Sequence, residues 1–417
     1  MLTHILRIIR NERKQNMALW LELLLVFCVL WTLVDGFYVS YNLYNRPLGY
    51  ETEHTYKFNL GYLSQPDTTL TQEDQGEYLS KILDLVKQYP PVEYASLSLH
   101  SSPHIGSNRS NRMYINDSVG LDLLNRSITP DFIHVFRYNN HQQDKGRGAL
   151  VAALERGEIL LGLSAARKLW GEGNELQAIG KKLYTSPTDS SEYYTVGGIT
   201  ETVRYDNFSS WTTYFAAPLP QAALVYWAGE EAQFLEFCLR VKPEEDHDFI
   251  KRFRAEMSDK LKLGNYYLAD VSYIPENKKL YQRDHVNELK TKVIIALFLL
   301  VNIFLGVVGV FWFRTQLRRG EIGLRISLGD TPRGILSKYY TEGLLLLTLA
   351  MIPALVIFYA MWHFEIIPEY YLEFSLLRYC IGLVITYLLM VLMIIGGIWF
   401  PARRAIRVSP AEALRDE

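Results

Sequence analysis

Cysteine is scarce in this sequence: 417 residues carry only Cys28, Cys238 and Cys380. Two of the three fall in apolar runs, so no intrachain disulfide framework is available, and any soluble part must hold together by packing. Net charge is also nearly missing, at -2, which argues against a nucleic-acid binder. No G-x-x-x-x-G-K-[ST] run is present. Gly180-Lys181-Lys182 lacks the Ser or Thr that must follow the lysine, so the chain does not bind ATP in the P-loop manner. No Ser-His-Asp arrangement can be argued from spacing. His100 and His104 are four apart, but Pro103 between them breaks the helix that would pair them on a metal. No catalytic, cofactor-binding or metal-ligating residue is therefore assigned.

What the sequence has is long apolar runs. A spanning helix needs about 20 mostly apolar residues, because its backbone polar groups must be satisfied internally. Four runs qualify, at residues 17–39, 293–313, 344–364 and 376–400. Trp20, Tyr38, Tyr41, Trp312, Tyr359, Trp362 and Trp399 flank them, as interfacial aromatics do. Glu22 and Asp35 lie near the ends of the first run, where they are expected to reach headgroups or water. Glu342, where the third span starts, is expected to meet water or Lys338. Basic residues cluster before the first run (Arg7, Arg10, Arg13, Lys14), between the second and third (Arg314, Arg318, Arg319, Arg325, Arg333, Lys338) and in the tail (Arg403, Arg404, Arg407, Arg415). The loop at 365–375 has three Glu and no Lys or Arg. The positive-inside rule then puts both termini and the 314–343 segment in the cytoplasm and the long first loop outside. The first run is too long, and too poor in small residues after it, for a cleaved signal peptide, so it reads as an uncleaved anchor. Residues 1–16 read as an amphipathic helix on the inner leaflet.

The 44–290 segment reads as a soluble domain in which acidic residues outnumber basic ones. Strands are expected at 56–63, 92–99, 234–241 and 266–273, with helices at 77–89 and 246–261. These form two β-α-β units that bracket a middle part, about 104–220, of short strands and turns. The expected fold is four transmembrane helices plus an α+β extracytoplasmic domain, made of a split β-α-β subdomain and an inserted strand-rich one. Cys238 reads as a strand residue. Residues 278–292 contain no Gly or Pro and run into the second span, so a continuous stalk helix over 278–313 is expected.

Two stretches beside the spans are more specific. Residues 321–328 read as a short amphipathic helix that Gly329 ends. Asp330 or Thr331 caps a new helix with Pro332 at its first position. Arg318, Glu321, Ile322, Gly323, Leu324, Arg325, Ser327, Leu328, Gly329 and Thr331 form one motif. Pro401, Ala402, Ala405, Pro410, Ala413, Leu414, Arg415 and Glu417 form another. Together they resemble the FtsX-like/MacB-like permease family of ABC transporters. Residues 159–171, 179–181 and 194–199 look like the MacB-type periplasmic core domain. Asp330 stands where family members usually have Ala, and Trp20, Glu22 and Asp35 depart from the family's uncharged first span.

The resemblance implies a bacterial inner-membrane permease with a periplasmic domain, working as a dimer, homomeric or with a paralogue, beside two copies of a separate ATPase that binds the ATP and Mg. A periplasmic adaptor and an outer-membrane channel are possible further partners. Residues Arg318, Glu321, Ile322, Gly323, Leu324, Arg325, Leu328, Gly329 and Arg333 are the expected ATPase-coupling set. Pro401, Pro410, Ala413, Leu414 and Arg415 are the expected tail motif. Motion relayed to the outer domain would expel a peptide, antibiotic or other periplasmic substrate. A lipoprotein-releasing permease and a non-transporting FtsX-type regulator of cell-wall hydrolases are the alternatives.

Overall fold

A computed structural model describes residues 13–210, 212–317, 319–364, 366 and 372–405. The readings that fall on residues 1–12, Arg318, most of the 365–371 loop and 406–417 lie outside the described residues. The chain divides into two units, one of residues 1–44 and 285–417, the other of residues 45–284.

In the second unit, β1 (Thr55–Tyr62) pairs antiparallel with both β10 (Tyr266–Tyr273) and β9 (Glu236–Val241), and β9 pairs antiparallel with β2 (Val92–Leu99). The order β10-β1-β9-β2 interleaves strands from the two ends of the segment, the split arrangement expected from the sequence. Period-two alternation decides what each face buries. Phe58 and Leu60, Leu97 and Leu99, and Phe237 and Leu239 point to one face. There they meet Leu79, Ile82 and Val86 of α2 (Gln72–Lys87) and Phe249, Phe253 and Met257 of α7 (Phe249–Met257). α2 starts at a capping box, in which Thr71 and Asp74 satisfy each other's backbone N–H. The opposite face of β9 carries Glu236, Cys238 and Arg240, all buried. Glu236 accepts hydrogen bonds from Ser98 Oγ (2.8 Å) and Ser102 N (2.7 Å). Arg240 donates to three backbone carbonyls, of Val135, Glu53 and Glu51.

The insert supplies β3 (Ser110–Tyr114), β4 (Gly120–Ile128), β5 (Ile159–Gly162), β6 (Lys182–Tyr184), β7 (Tyr193–Thr200) and β8 (Tyr214–Pro218). They pair in the order β4-β3-β6-β7-β5-β8, and β8 returns parallel to β4, so the six strands close a ring. Met113, Leu123, Leu161, Leu183, Val196 and Phe215 fill its core. Short helices α3 (Phe132–Val135), α4 (Gly146–Glu155) and α5 (Leu163–Trp170) also lie in the insert, which the sequence reading took mostly as short strands and turns. α6 (Gln221–Tyr226) follows the ring.

α8 (Ile274–Tyr281) leads out of the domain but stops at Gln282, before α9 (Arg283–Leu317) begins. The expected unbroken stalk helix is thus interrupted. The break has no Gly or Pro behind it. The Gln282 side chain is buried instead, and its Nε2 donates to Asn207 Oδ1 at 2.9 Å.

Among the described residues of the first unit, four helices are long and apolar enough to cross a membrane: α1 (Arg13–Tyr44), α9, α11 (Pro332–His363) and α12 (Leu376–Ala405). α1, α11 and α12 pack on one another around Phe27, Trp31, Leu347, Ala350, Phe358, Met390 and Ile394. Trp31 stacks on Phe358 at 4.0 Å between ring centroids. α9 adds Ile303, Val307 and Phe311, spaced four apart on one stripe. Its residues Ile294, Leu297, Phe298 and Val301 are exposed, which suits a lipid-facing surface.

Candidate coupling segment and buried ion pairs

Between α9 and α11 lies α10 (Arg319–Ser327). Ile322 faces inward and is buried with Ile335 and Tyr339 in the helix core. Leu324 and Leu328 point the other way, 50% and 79% exposed, and their spacing of four puts them on one face. Gly329 ends the helix at φ 95°, a conformation that costs any residue with a Cβ. Thr331 caps α11, its side chain accepting from Gly334 N at 3.1 Å, with Pro332 in the first turn. Asp330 does not cap. It pairs with Lys338 at 2.6 Å. Glu321, Gly323 and Arg325 lie within α10, and Arg333 is exposed in the first turn of α11. Of the tail motif, Pro401 sits buried in the last turns of α12, while Pro410, Ala413, Leu414 and Arg415 lie outside the described residues.

Glu342 corrects the sequence reading. Lys338 is taken by Asp330, and Glu342 is buried against the Arg314 guanidinium, which also donates to Asn16 Oδ1. One arginine near the end of α9 thereby ties α1 and α11 to it. Asp35 is a second correction. Rather than reaching headgroups, it is buried and takes a two-pronged bond from Arg378, Nε at 2.7 Å and Nη2 at 2.6 Å. Arg378 also donates to Leu372 O at 2.7 Å. A buried charge is tolerated only when it is matched in charge and geometry, and the arginine fork on a carboxylate supplies both. Glu22, by contrast, is partly exposed and packs its carboxylate against Gly306 of α9.

One ion-pair cluster joins α1, α9 and α11, and the other joins α1 and α12. Between them α1 buries Leu19, Leu23, Phe27 and Leu30. The spans are pinned at two levels with an apolar core between.

The sequence reading singled out three residues of the other unit, His100, His104 and Cys238. His100 Nδ1 bonds Ser107 Oγ at 2.6 Å. His104 is buried with neither ring nitrogen hydrogen-bonded, and burial, together with the Lys278 charge, lowers its pKa to about 4. Cys238 lies in β9 and is fully buried, which pushes its thiol up to about 12 and leaves it unreactive.

Residues 293–410 match the family model of the FtsX-like permease C-terminal domain. No curated protein matches the chain significantly. Among solved structures, a domain of a permease protein from Porphyromonas gingivalis is similar at 17% identity and a TM-score of 0.33, covering 53% of this chain and 92% of that one. The extracellular domain of the noncanonic ABC-type transporter YknZ from Gram-positive bacteria is similar at 12% identity and a TM-score of 0.31, covering 51% and 100%. The periplasmic region of MacB from Actinobacillus actinomycetemcomitans is similar at 9% identity and a TM-score of 0.34, covering 55% and 94%.

Proposed function

We propose that this chain is the permease subunit of a MacB/FtsX-type ABC transporter, relaying the work of a separate ATPase to its own outer domain. The observation that carries the reading is α10. Its Ile322 is locked into the helix core, while Leu324 and Leu328 stand out unpartnered beside the start of α11. A helix anchored on one face and apolar on the other suits a protein contact, and within an FtsX-like permease domain the fitting partner is the ATPase, which holds the ATP and Mg. Closure of two ATPases would draw the α10 segments of two permeases together. The pinned spans would carry that displacement outward, and the outer domain would release or expel a periplasmic substrate. The same reading places the chain in a bacterial inner membrane, with both termini in the cytoplasm.

The experiment is purification of the chain with whatever ATPase accompanies it. Leu324→Glu, Leu328→Glu and charge reversal at Glu321 and Arg325 should each release the ATPase or lower its stimulated hydrolysis. Association and hydrolysis unchanged by all of them would end the coupling role of α10.

A further inference from the structure

Arg204 is completely buried, and the Asp206 charge favours its guanidinium. It donates to three backbone carbonyls: Arg46 O at 2.9 Å, Asn207 O at 2.6 Å and Ser209 O at 2.9 Å. Only the arginine fork offers donors in so many fixed directions, and a lysine cannot reach all three. Arg46 belongs to the chain just arriving from α1. The same incoming segment is held at two further points. Arg204 N donates to Leu48 O at 2.9 Å, and Tyr50 Oη donates to Tyr205 O at 3.2 Å. Between them Gly49, at φ 84°, lets the backbones close until a Cβ there would stand 2.1 Å from Thr202 O.

The outgoing chain is held by the same loop. Gln282, at the break before α9, donates to Asn207 Oδ1 at 2.9 Å, and the Tyr281 ring meets the Tyr205 ring at 5.8 Å. Asp206 stiffens the loop from within by accepting from Phe208 N (2.6 Å) and Ser209 N (2.8 Å). The loop has no slack at its roots, since it joins the end of β7 at Thr200 to the start of β8 at Tyr214, both strands of the six-stranded ring.

We infer that residues 202–209 form a latch that fastens the incoming and outgoing chains to each other and to the ring, with Arg204 as its positioning residue. A displacement arriving through either membrane helix then reaches the ring directly, without passing through the β10-β1-β9-β2 sheet. A buried guanidinium is a costly way to gain stability, because an apolar side chain would fill the space with less desolvation. Three directed bonds between segments far apart in sequence are what it adds. This inference rests on the relay reading above.

The test uses the full chain with its co-purified ATPase in lipid nanodiscs. A fluorophore is attached at Tyr193→Cys, an exposed position on β7, in a background with Cys28→Ser and Cys380→Ser, leaving the buried Cys238 in place. The readout is the ATP-dependent change at position 193 beside the hydrolysis rate. Arg204→Lys, and independently the milder Gln282→Ala, should cut the signal at least about fivefold, in line with loss of a bond to a charged group or of a buried amide bond, while hydrolysis stays within about twofold. Ile82→Val, a core change remote from the latch, reports what destabilisation alone does and should leave the signal intact. An undiminished signal in Arg204→Lys or Gln282→Ala overturns the latch while sparing the relay. A wild-type complex with no ATP-dependent change at position 193 overturns the relay, and the latch with it.

Discussion

Replacing Asp35 by alanine strands Arg378 in a buried position, and the cost can be worked from the contacts. The wild-type pair is two-pronged, at 2.7 and 2.6 Å, with the arginine 2% and the aspartate 10% exposed at the side chain. Breaking a buried pair by removing one partner costs roughly 3–5 kcal/mol, because the remaining charge is uncompensated. Here the low end applies. Arg378 is only two residues into α12 and keeps its bond to Leu372 O, so part of the guanidinium can turn toward water. The expected loss is therefore about 3 kcal/mol, or about two orders of magnitude in the folded-to-unfolded ratio. The assay is denaturant unfolding of the full chain in mixed micelles. Asp35→Leu combined with Arg378→Met should recover most of the loss, since removing both charges also removes the desolvation each one suffers. An Asp35→Ala loss below about 1 kcal/mol, the range of exposed pairs, would refute the reasoning. So would a double variant whose cost equals the sum of the two single ones.

Further outcomes follow from other sites. Leu324→Glu and Leu328→Glu should leave thermal stability within about 0.5 kcal/mol, as exposed positions do, and read out only in ATPase association. Thr331→Ala should cost about 1 kcal/mol and raise hydrogen exchange in the first turn of α11, because the Gly334 N–H loses its acceptor. For His104 the folded pKa lies near 4, below the ordinary 6.5. Burial and the Lys278 charge lower it, and Asp206 opposes them. The group favours the folded state fully above pH 6.5, and that contribution fades as pH falls toward 4. His104→Phe should flatten the slope of domain stability between those values, measured by unfolding at a series of pH values.

The four spans and the outer strands were legible because each is a local pattern: long apolar runs for the helices, and period-two alternation in 92–99 and 266–273. The α10 break was legible too, since Gly329 and Pro332 are punctuation that a sequence shows directly. The ion pairs were not. Asp35 and Glu342 look like end-of-helix acids when read along the chain, and nothing local says that Arg378, 343 residues away from Asp35, will fold opposite it. The interruption at Gln282 was hidden for a related reason. At the break the Gln282 side chain bonds Asn207, a contact made 75 residues away and unmarked by any helix breaker. Arg126, Arg204 and Arg240 were also passed over. An arginine is surface until the fold surrounds it with carbonyls or tyrosine rings, as Tyr138 and Tyr214 surround Arg126. The inserted helices were missed because runs as short as Phe132–Val135 carry no period long enough to detect.

The whole account requires the 314–343 segment and the outer domain to face opposite sides of one membrane. Single cysteines at Leu328→Cys and Tyr226→Cys, both exposed positions, test this in intact cells with a membrane-impermeant thiol reagent, in a background with Cys28→Ser and Cys380→Ser. The account predicts that the residue 226 label forms from outside, while residue 328 reacts only after the membrane is breached. Labelling of both from the same side would contradict it.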